Sequence, residues 1–435
     1  MTAKAPLQNL ASKIIKNNTI NQALYDEIEV KRGLRNKDGS GVLAGLTSIS
    51  SVIGARMIDY QRYPVEGELS YRGYNIFDIA ETFKLKDRFA FEKTAYLLLV
   101  GEIADKENEK AFIQLVSERR AIPEVIMKNV IQGIPSKDIM NKLQTAVSAL
   151  YSQDADPDSL DPFENFLKAV DLMAKMPIIT AYAYLATYKE NPKFVVPEPS
   201  MSQAEAFLYV LGEGKAPSEF DAQILDLCLA IHAEHGGGNN STFTTYVVSS
   251  SGTDIYSAVA ASISSLKGPL HGSANSKVMG MMDDIKKHVK NWDNKEEVRN
   301  YLQKIMEQKA HDKSGKIYGL GHAVYTKSDP RALLLKIQAQ KLAELKGRQD
   351  ELKLYLTIET EGPELFQSVK GDKKVISANV DFFSGFVYDC LGIPKEIYTP
   401  MFAMARVVGW CAHRIEEGLS GKRIIRPGYK YVKQG

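Results

Sequence analysis

Apolar residues recur along most of the chain at the three-to-four-residue spacing of amphipathic helices. In residues 254–267 one apolar stripe is formed by Ile255, Val259, Ile263 and Leu266. Thr253 stands at the expected N-cap of this helix and Gly268-Pro269 ends it. The same periodicity runs through residues 90–150, 163–189, 201–235, 274–290, 329–348 and 395–418. The pattern therefore predicts a predominantly helical protein.

One segment departs from this rhythm. Residues 48–74 look extended, and from Arg56 to Tyr74 polar and apolar residues alternate around Pro64, Gly67 and Gly73. Alternation interrupted by proline and glycine is typical of short paired strands. We expect a small β-hairpin here.

Composition narrows the class of protein. The chain has 435 residues, 44% hydrophobic and 25% charged, and a net charge of +2, which argues against a dedicated nucleic-acid binder. Its three cysteines are widely spaced, and no apolar run reaches membrane-spanning length. The N-terminus carries lysines without the long apolar region of a secretory signal. We expect a cytoplasmic protein of two or three domains that binds neither nucleic acid nor membrane.

Two stretches imitate metal sites. Asp154, Asp156 and Asp158 begin like a calcium loop, but the glycine and the terminal glutamate of that loop are missing. Residues 232–235 place two histidines three positions apart, whereas the zinc-protease motif needs them four positions apart on one face of a helix. No metal site is expected at either place.

Three glycine-marked stretches carry the candidate chemistry. His271 follows a Gly-Pro break, His322 follows Gly319 and Gly321, and Asp381 stands between Val380 and two phenylalanines. Two neutral hydrogen-bond donors and one partly desolvated carboxylate are the groups needed to remove a proton from carbon next to a carbonyl. Structural interpretations remain open: a helix-capping His271, a satisfied loop histidine at 322, and Asp381 as the N-cap of the helix that follows.

Arginines suggest an anionic ligand. Arg406 lies inside the apolar run of residues 401–408, where an unpaired guanidinium is costly, so it must meet a protein carboxylate or a ligand. Arg331 stands at a helix start and Arg426 near the C-terminus. Three guanidinium groups, each able to donate two parallel hydrogen bonds to a carboxylate, suit a small polycarboxylate. For Arg331 and Arg426, ordinary surface charge is the alternative.

Taken in order, these motifs resemble the citrate synthase family. The resemblance runs nearly end to end, through residues 67–74, 235–242, 268–275, 318–325, 379–385, 402–406 and 426–427. It implies an all-α fold of two domains, with a large dimer-forming domain at 1–273 and 387–435. A smaller domain at 274–386 would close over the substrates.

The resemblance also implies roles for individual residues. His271, His322 and Asp381 would be catalytic, acting on the thioester carbonyl, the ketone of oxaloacetate and the methyl proton of acetyl-CoA. The carboxylates of oxaloacetate would be bound by His235, Arg331, Arg406 and Arg426, the last reaching across a homodimer. The region of coenzyme A would include Gly319, Gly321, Lys327 and Asn379. Acyl-CoA is then a co-substrate, and no tightly bound cofactor is expected.

Some positions depart from the family pattern. Ser273 replaces a frequent glycine, Ser276 a frequent glutamate, and Thr326-Lys327 stand where some members carry a further arginine. These differences concern the shape of the pocket and the affinity for coenzyme A. They leave two alternatives, a 2-methylcitrate synthase that uses propionyl-CoA and a non-catalytic metabolite-sensing relative.

Overall fold

The computed structural model describes residues 4–59, 61–82, 88–272, 274–371, 375–421 and 423–432. By their internal contacts the residues form two compact units, one of residues 47–424 and one of residues 1–46 with 425–435. The predicted division at residues 273 and 387 stays a prediction, and Ser273 lies outside the described residues.

The described residues are mainly helical. Their α-helices, α1 to α17 in chain order, are Lys4–Asn18, Ala23–Glu27, Ile76–Thr82, Ala90–Val100, Lys106–Glu118, Ile139–Leu150, Pro162–Tyr188, Gln203–Leu211, Glu219–His232, Asn240–Ser249, Ile255–Lys267, Ala274–His288, Lys295–Met306, Pro330–Lys346, Gln349–Lys370, Val380–Cys390 and Tyr398–Ser420. A π-helical segment spans Ile126–Gln132. This confirms the prediction of a helical fold.

The predicted hairpin is also present. Strand β1 (Ser50–Ile58) pairs antiparallel with β2 (Gln61–Tyr71), and β2 pairs with the short β3 (Tyr74–Asn75). The register of β1 on β2 shifts between Ile53 and Ala55. At the end of β2, Leu69 and Tyr71 are fully buried, so one face of the hairpin packs on the protein.

The predicted cap of α11 is wrong by one residue. The N-cap is Asp254, whose carboxylate accepts a hydrogen bond from the Ser257 N–H. Thr253 lies just outside and donates its hydroxyl to Asp254. Both residue types cap helices well, so the sequence alone does not separate them.

The core of the larger unit is built around α17. Its side chains from Ala403 to Arg414 are buried, including Trp410 at 0% exposure. It packs on α7, α10 and α11, of which α7 and α11 are themselves largely buried. A polar side chain on α17 is therefore held in a fixed place by apolar packing on several sides.

Aromatic packing fixes α16 in the same way. Phe382, Phe383 and Phe386 are fully buried and surround Tyr355 of α15. The ring centroid of Tyr355 lies 5.3 Å from Phe382 and 5.2 Å from Phe386. Contacts of this kind add to the free energy of burial, by about 0.5–1.5 kcal/mol for each aromatic pair. The orientation of the first turn of α16 is thus set by its apolar face.

Within the described ranges, no helix is long and apolar enough to cross a membrane. The same ranges contain no group of three or more His, Cys, Asp or Glu side chains arranged to hold a metal ion.

Candidate active site

Six of the predicted site residues come together in the larger unit. His235 follows α9, His271 lies between α11 and α12, and His322 lies between α13 and α14. The other three stand on helices: Arg331 in the first turn of α14, Asp381 in the first turn of α16, and Arg406 within α17. The charges of Arg331 and Arg406 act on both His235 and Asp381, and the charge of Arg406 acts on His271.

His271 is held as a neutral ring. Burial, and secondly the positive charge of Arg406, lower the pKa of its imidazole to about 4. At neutral pH the ring can donate a hydrogen bond without carrying a charge.

One ring nitrogen of His271 contacts the hydroxyl of Ser241. Nε2 of His271 lies 3.2 Å from Oγ of Ser241, which also accepts from Nε1–H of Trp410. The hydroxyl of Ser241 donates to Oδ1 of Asn239 at 2.8 Å. Serine has one proton. When that proton turns to Nε2 of His271, the ring proton is on Nδ1, which then serves as the donor to a ligand.

A close backbone approach fixes the His271 turn. A Cβ at Gly272 would lie 2.0 Å from the Leu266 carbonyl oxygen, so no larger residue fits there. The Gly272 carbonyl accepts a hydrogen bond of 2.8 Å from the Thr399 hydroxyl. The turn is therefore tied to the start of α17.

His322 has a defined tautomer. Its Nδ1 accepts hydrogen bonds from the backbone N–H groups of Val324 at 3.0 Å and Tyr325 at 3.1 Å. Backbone N–H groups can only donate, so Nδ1 is unprotonated and the neutral ring carries its proton on Nε2. Nε2–H is then a donor with a fixed direction, and the ring stacks on Tyr325 at a centroid distance of 4.8 Å.

The glycines beside His322 adopt backbone angles that glycine takes up readily and other residues rarely do. Gly319 and Gly321 have φ of +83° and +89°, in the left-handed region. A Cβ at Gly319 would lie 2.7 Å from Cδ2 of Phe382, so this loop lies directly against α16. Gly321 N–H donates to the Ser377 carbonyl, and Asn379 N–H donates to the Gly319 carbonyl, both at 2.8 Å.

The hairpin supports the same loop from the other direction. A Cβ at Gly54 of β1 would lie 2.3 Å from the Val324 carbonyl oxygen. A Cβ at Gly67 of β2 would lie 2.2 Å from the Ser328 carbonyl oxygen. The backbones of the hairpin and the His322 loop therefore touch at two points.

Asp381 is a half-buried carboxylate with raised basicity. Burial is the main cause that raises its pKa from 3.8 to about 6, and the charge of Asp329 adds to this while Arg331 and Arg406 oppose it. At neutral pH the group is ionised and is a stronger base than an exposed aspartate.

Asp381 is not the cap of its helix. The N-cap of α16 is Asn379, whose Oδ1 accepts from Asp381 N–H at 3.0 Å and whose Nδ2 donates to the Gly321 carbonyl at 2.8 Å. The capping interpretation of Asp381 is therefore wrong, because the cap lies two residues earlier. The carboxylate of Asp381 is left for another use.

His235 lies beside His322. The two ring centroids are 5.2 Å apart and nearly perpendicular, and Nε2 of His235 is 3.3 Å from the Tyr325 hydroxyl. Burial, with the charge of Arg331 second, holds the pKa of His235 well below its usual range. His235 is thus another neutral polar group in the cluster.

The two arginines of the cluster differ in their partners. Arg331 is buried and forms an ion pair with Asp329, through Nη2 to Oδ2 at 2.8 Å and Nε to Oδ1 at 3.1 Å. Arg406 is equally buried, and its Nε donates to the His232 carbonyl at 2.7 Å. Among the described residues, no carboxylate lies within 4.0 Å of the Arg406 guanidinium. Of the two partners foreseen for Arg406, a ligand anion therefore fits better than a protein carboxylate.

The buried pair of Glu234 and His413 supports the backbone next to His235. Glu234 accepts from His413 Nε2 at 3.0 Å, from the Ser50 hydroxyl at 2.9 Å and from Gly236 N–H at 2.5 Å. Although burial raises the pKa of Glu234, His413 and then Arg406 lower it to about 2. No local sequence pattern predicts this pair, since its members are 179 residues apart.

The remaining predicted residues lie at the edge of the cluster or outside it. Gly319, Gly321 and Asn379 adjoin His322 and Asp381, as described above, and Lys327 is exposed. Arg426 belongs to the other compact unit, where its side chain is exposed. Its part in the site stays a prediction.

Comparison with known proteins decides the family. The family model described as citrate synthase, C-terminal domain, matches residues 38–428. This chain belongs to the citrate synthase family. It is therefore an enzyme of the citrate synthase type, which joins an acyl group to a second substrate.

Relatives in the family carry two names. Citrate synthase of Haloferax volcanii is 34% identical over 93% of this chain and 96% of its own length. Citrate synthase 2 of Bacillus subtilis is 33% identical over 90% and 94%. The 2-methylcitrate synthase of Shewanella oneidensis is also 33% identical, over 84% and 88%. Sequence identity to the family thus does not separate the two acyl substrates.

Solved structures of the family share the fold. Citrate synthase of Thermoplasma acidophilum, in a ternary complex with carboxymethyl coenzyme A and oxaloacetate, superposes with a TM-score of 0.78 at 27% identity. The match covers 93% of this chain and 97% of the other. Citrate synthase of Pyrobaculum aerophilum gives a TM-score of 0.76 at 31% identity, over 91% of each chain.

Proposed function

We propose that this citrate synthase family member condenses acetyl-CoA with oxaloacetate and water to give citrate and free coenzyme A. The observation that carries the proposal is the setting of Arg406. This buried guanidinium has no carboxylate of the described residues within 4.0 Å, and it lies among neutral histidines beside a carboxylate base. A small dianion with a ketone next to its carboxylate satisfies both the charge and the donors.

Oxaloacetate is bound through its charges. Arg406 and Arg331 take its carboxylates together with His235, and we propose that Arg426 is added by a second copy of the chain in a homodimer. Arg426 is exposed in its own chain, so its guanidinium is open to a carboxylate bound by a second copy. We also propose that residues 274–386 close over the bound substrates.

The first chemical step forms an enol from the thioester. Asp381 removes a methyl proton from acetyl-CoA while His271 donates to the thioester oxygen, on which negative charge develops. The methyl group is far too weak an acid for a free carboxylate in water. A preorganised donor in a water-poor site is worth about 3–4 kcal/mol, and burial of Asp381 adds basicity. Neutral His271 suits this role because it donates without requiring a charged ring.

The second step makes the carbon–carbon bond. The carbon of the enolised thioester attacks the ketone of oxaloacetate. Nε2–H of His322 stays hydrogen-bonded to the ketone oxygen, which becomes a hydroxyl by taking up the proton that Asp381 removed. The backbone bonds to Nδ1 of His322 keep the ring proton on Nε2. Water then cleaves the thioester of the acyl-CoA intermediate, which releases citrate and the thiol of coenzyme A.

The region of coenzyme A involves the loop on both sides of His322 and the residue that caps α16. Backbone atoms lie close to the base Asp381 at Gly319, Gly321 and Asn379. Lys327 is exposed and offers a positive charge to a phosphate of coenzyme A. We propose these residues as the acyl-CoA side of the site.

A thiol-release assay tests the function. The purified enzyme is given oxaloacetate with either acetyl-CoA or propionyl-CoA, and Asp381→Asn serves as the control that lacks the base. We expect acetyl-CoA to give the higher kcat/KM by about tenfold or more, the discrimination typical of one methylene group. A higher value with propionyl-CoA makes the enzyme a 2-methylcitrate synthase. No thiol release with either substrate favours a metabolite-sensing protein and overturns the proposal.

A further inference from the structure

A single buried carboxylate joins the oxaloacetate side of the site to the helix of the base. Asp329, 1% exposed, is the N-cap of α14. Its Oδ1 accepts from the N–H of Arg331 at 3.0 Å and from Nε of Arg331 at 3.1 Å. Its Oδ2 accepts from Nη2 of Arg331 at 2.8 Å and from Val380 N–H at 3.2 Å. Val380 is the first residue of α16 and immediately precedes Asp381.

Capping alone does not account for these contacts. A cap needs one acceptor toward the backbone of its own helix, which is the bond from Oδ1 to Arg331 N–H. The remaining three bonds of Asp329 go to the Arg331 side chain and to a backbone group 51 residues further along the chain. An asparagine would cap the helix as well, but it lacks the charge and one of the two acceptor oxygens.

The geometry points to Asp329 as a positioning residue: it holds the Arg331 guanidinium and the first turn of α16 in one rigid arrangement. A substrate carboxylate bound at Arg331 is thereby placed at a fixed distance from the Asp381 base. This inference rests on the proposed function, because Asp329 acts through Arg331 and Asp381 and itself touches no substrate.

Rigid placement matters in this reaction because two substrates must meet. Misplacing a reacting group by about 1 Å costs on the order of 100-fold in rate. The Asn379 cap fixes the same turn of α16 to the His322 loop. Asp329 thus supplies the link to Arg331 that the Asn379 cap does not make.

The charge of Asp329 gives a signature that a purely structural role would lack. The charged and titratable groups that face Asp381 are Asp329 and Arg331 from α14, Arg406 from α17 and Tyr388 from α16 itself. Asp329 raises the pKa of Asp381, while Arg331 and Arg406 lower it. Removing the charge of Asp329 should therefore move the acidic limb of the pH–rate profile to lower pH.

Two variants separate the charge of Asp329 from the tether, which is the hydrogen bond that Asp329 accepts from Val380 N–H. Asp329→Asn removes the charge and keeps the volume. Val380→Pro removes the N–H that donates to Asp329 and replaces one buried apolar side chain by another, at the first helical position, where proline is tolerated. The preceding Asn379 has φ −99° and ψ 177°, which suits a residue before proline. Asp226→Asn is the matched control, since this buried carboxylate accepts from Ala90 N–H at 2.6 Å and Phe91 N–H at 3.1 Å, at the start of a different helix.

The experiment measures kcat, KM for oxaloacetate and the pH profile of each folded variant by thiol release. We expect Asp329→Asn to lower kcat at least tenfold, to raise KM for oxaloacetate, and to move the acidic limb to lower pH. Val380→Pro should lower kcat several-fold and leave the acidic limb in place. Asp226→Asn should lose thermal stability with kcat, KM and pH profile unchanged.

Other outcomes overturn the inference. If Asp329→Asn behaves like Asp226→Asn, the residue is only a structural cap. If Asp329→Asn does not fold, Val380→Pro carries the test, and an unchanged kcat in that variant excludes the tether. A wild-type enzyme that releases no thiol overturns the proposed function and this inference together, whereas an active wild type with unaffected variants overturns this inference alone.

Discussion

Replacing Asp381 by asparagine should remove activity and stabilise the fold at the same time. A carboxamide cannot take the methyl proton, so turnover should fall by at least ~100-fold, the lower end of general-base contributions. The second effect follows from the raised pKa of Asp381, about 6 against an ordinary 3.8. An acid with a raised pKa is held more favourably in its protonated form, so its ionised form destabilises the folded protein at neutral pH.

The size and sign of the stability change follow from the same two values. The difference of roughly 2 pK units corresponds to ~3 kcal/mol at 1.36 kcal/mol per unit, as an upper limit. Because the side chain is only half-buried, we expect a gain of about 1–2 kcal/mol for Asp381→Asn. Between pH 3.8 and about 6 the folded state binds more protons than the unfolded chain, so the wild type loses stability as the pH rises through this window. The advantage of the asparagine variant should be complete above about pH 7 and roughly halved near pH 5.

Urea unfolding at about pH 7.5 and at about pH 5 measures this directly, with thiol release measured on the same samples. Asp226→Asn is again the control: its carboxylate accepts two backbone hydrogen bonds, so its loss should destabilise the protein at both pH values. An Asp381→Asn protein that is less stable than the wild type at pH 7.5, or whose gain does not vary with pH, would refute the reasoning. Wild-type turnover in this variant would exclude Asp381 as the base.

Three further predictions concern closure, assembly and the His322 loop. Because Arg406 needs an anion, a non-reactive dicarboxylate should raise acyl-CoA affinity in calorimetry, and independent binding of the two ligands would argue against closure. When inactive Arg426→Ala and Asp381→Asn subunits are exchanged, a heterodimer has one site with both residues intact, so part of the activity should return; heterodimers that stay inactive would place Arg426 elsewhere. Gly319→Ala should lower kcat at least tenfold, because a Cβ would lie 2.7 Å from Phe382 at a φ of +83°; unchanged kinetics would show that the loop adapts without cost.

Periodicity and glycine spacing predicted most of the architecture. Most of the helices follow from local patterns, but Asn240–Ser249, Lys295–Met306 and Gln349–Lys370 lie outside the predicted ranges. The hairpin of β1 and β2 lies within the segment that looked extended. Helix caps were harder, because Thr253 and Asp254 are both good caps and only the backbone path shows which one is used. Asp381 was open to interpretation as a cap for the same reason, since the capping role of Asn379 depends on its extended backbone.

The site was predicted residue by residue but not contact by contact. The glycines beside His322 marked this loop in the sequence, but the two backbone N–H groups that donate to Nδ1 are seen only in the structure. Contacts between distant residues, such as Glu234 with His413, leave no local pattern in the sequence. The pairing of Arg331 with Asp329 had a signal, an acid two residues before the arginine at a helix start, but its second bond to Val380 requires the tertiary fold.

The glycines of the hairpin restrict how this enzyme can vary. Gly54 and Gly67 lie outside the catalytic cluster, yet a methyl group at either would meet the backbone of residues 324–328 at 2.3 Å and 2.2 Å. In a mutational scan of activity, these two positions should therefore tolerate as little change as the catalytic residues, whereas exposed neighbours such as Tyr63 should vary freely. An effort to redesign the acyl pocket by moving the His322 loop has to change the hairpin with it, because neither backbone leaves room for the other to shift alone.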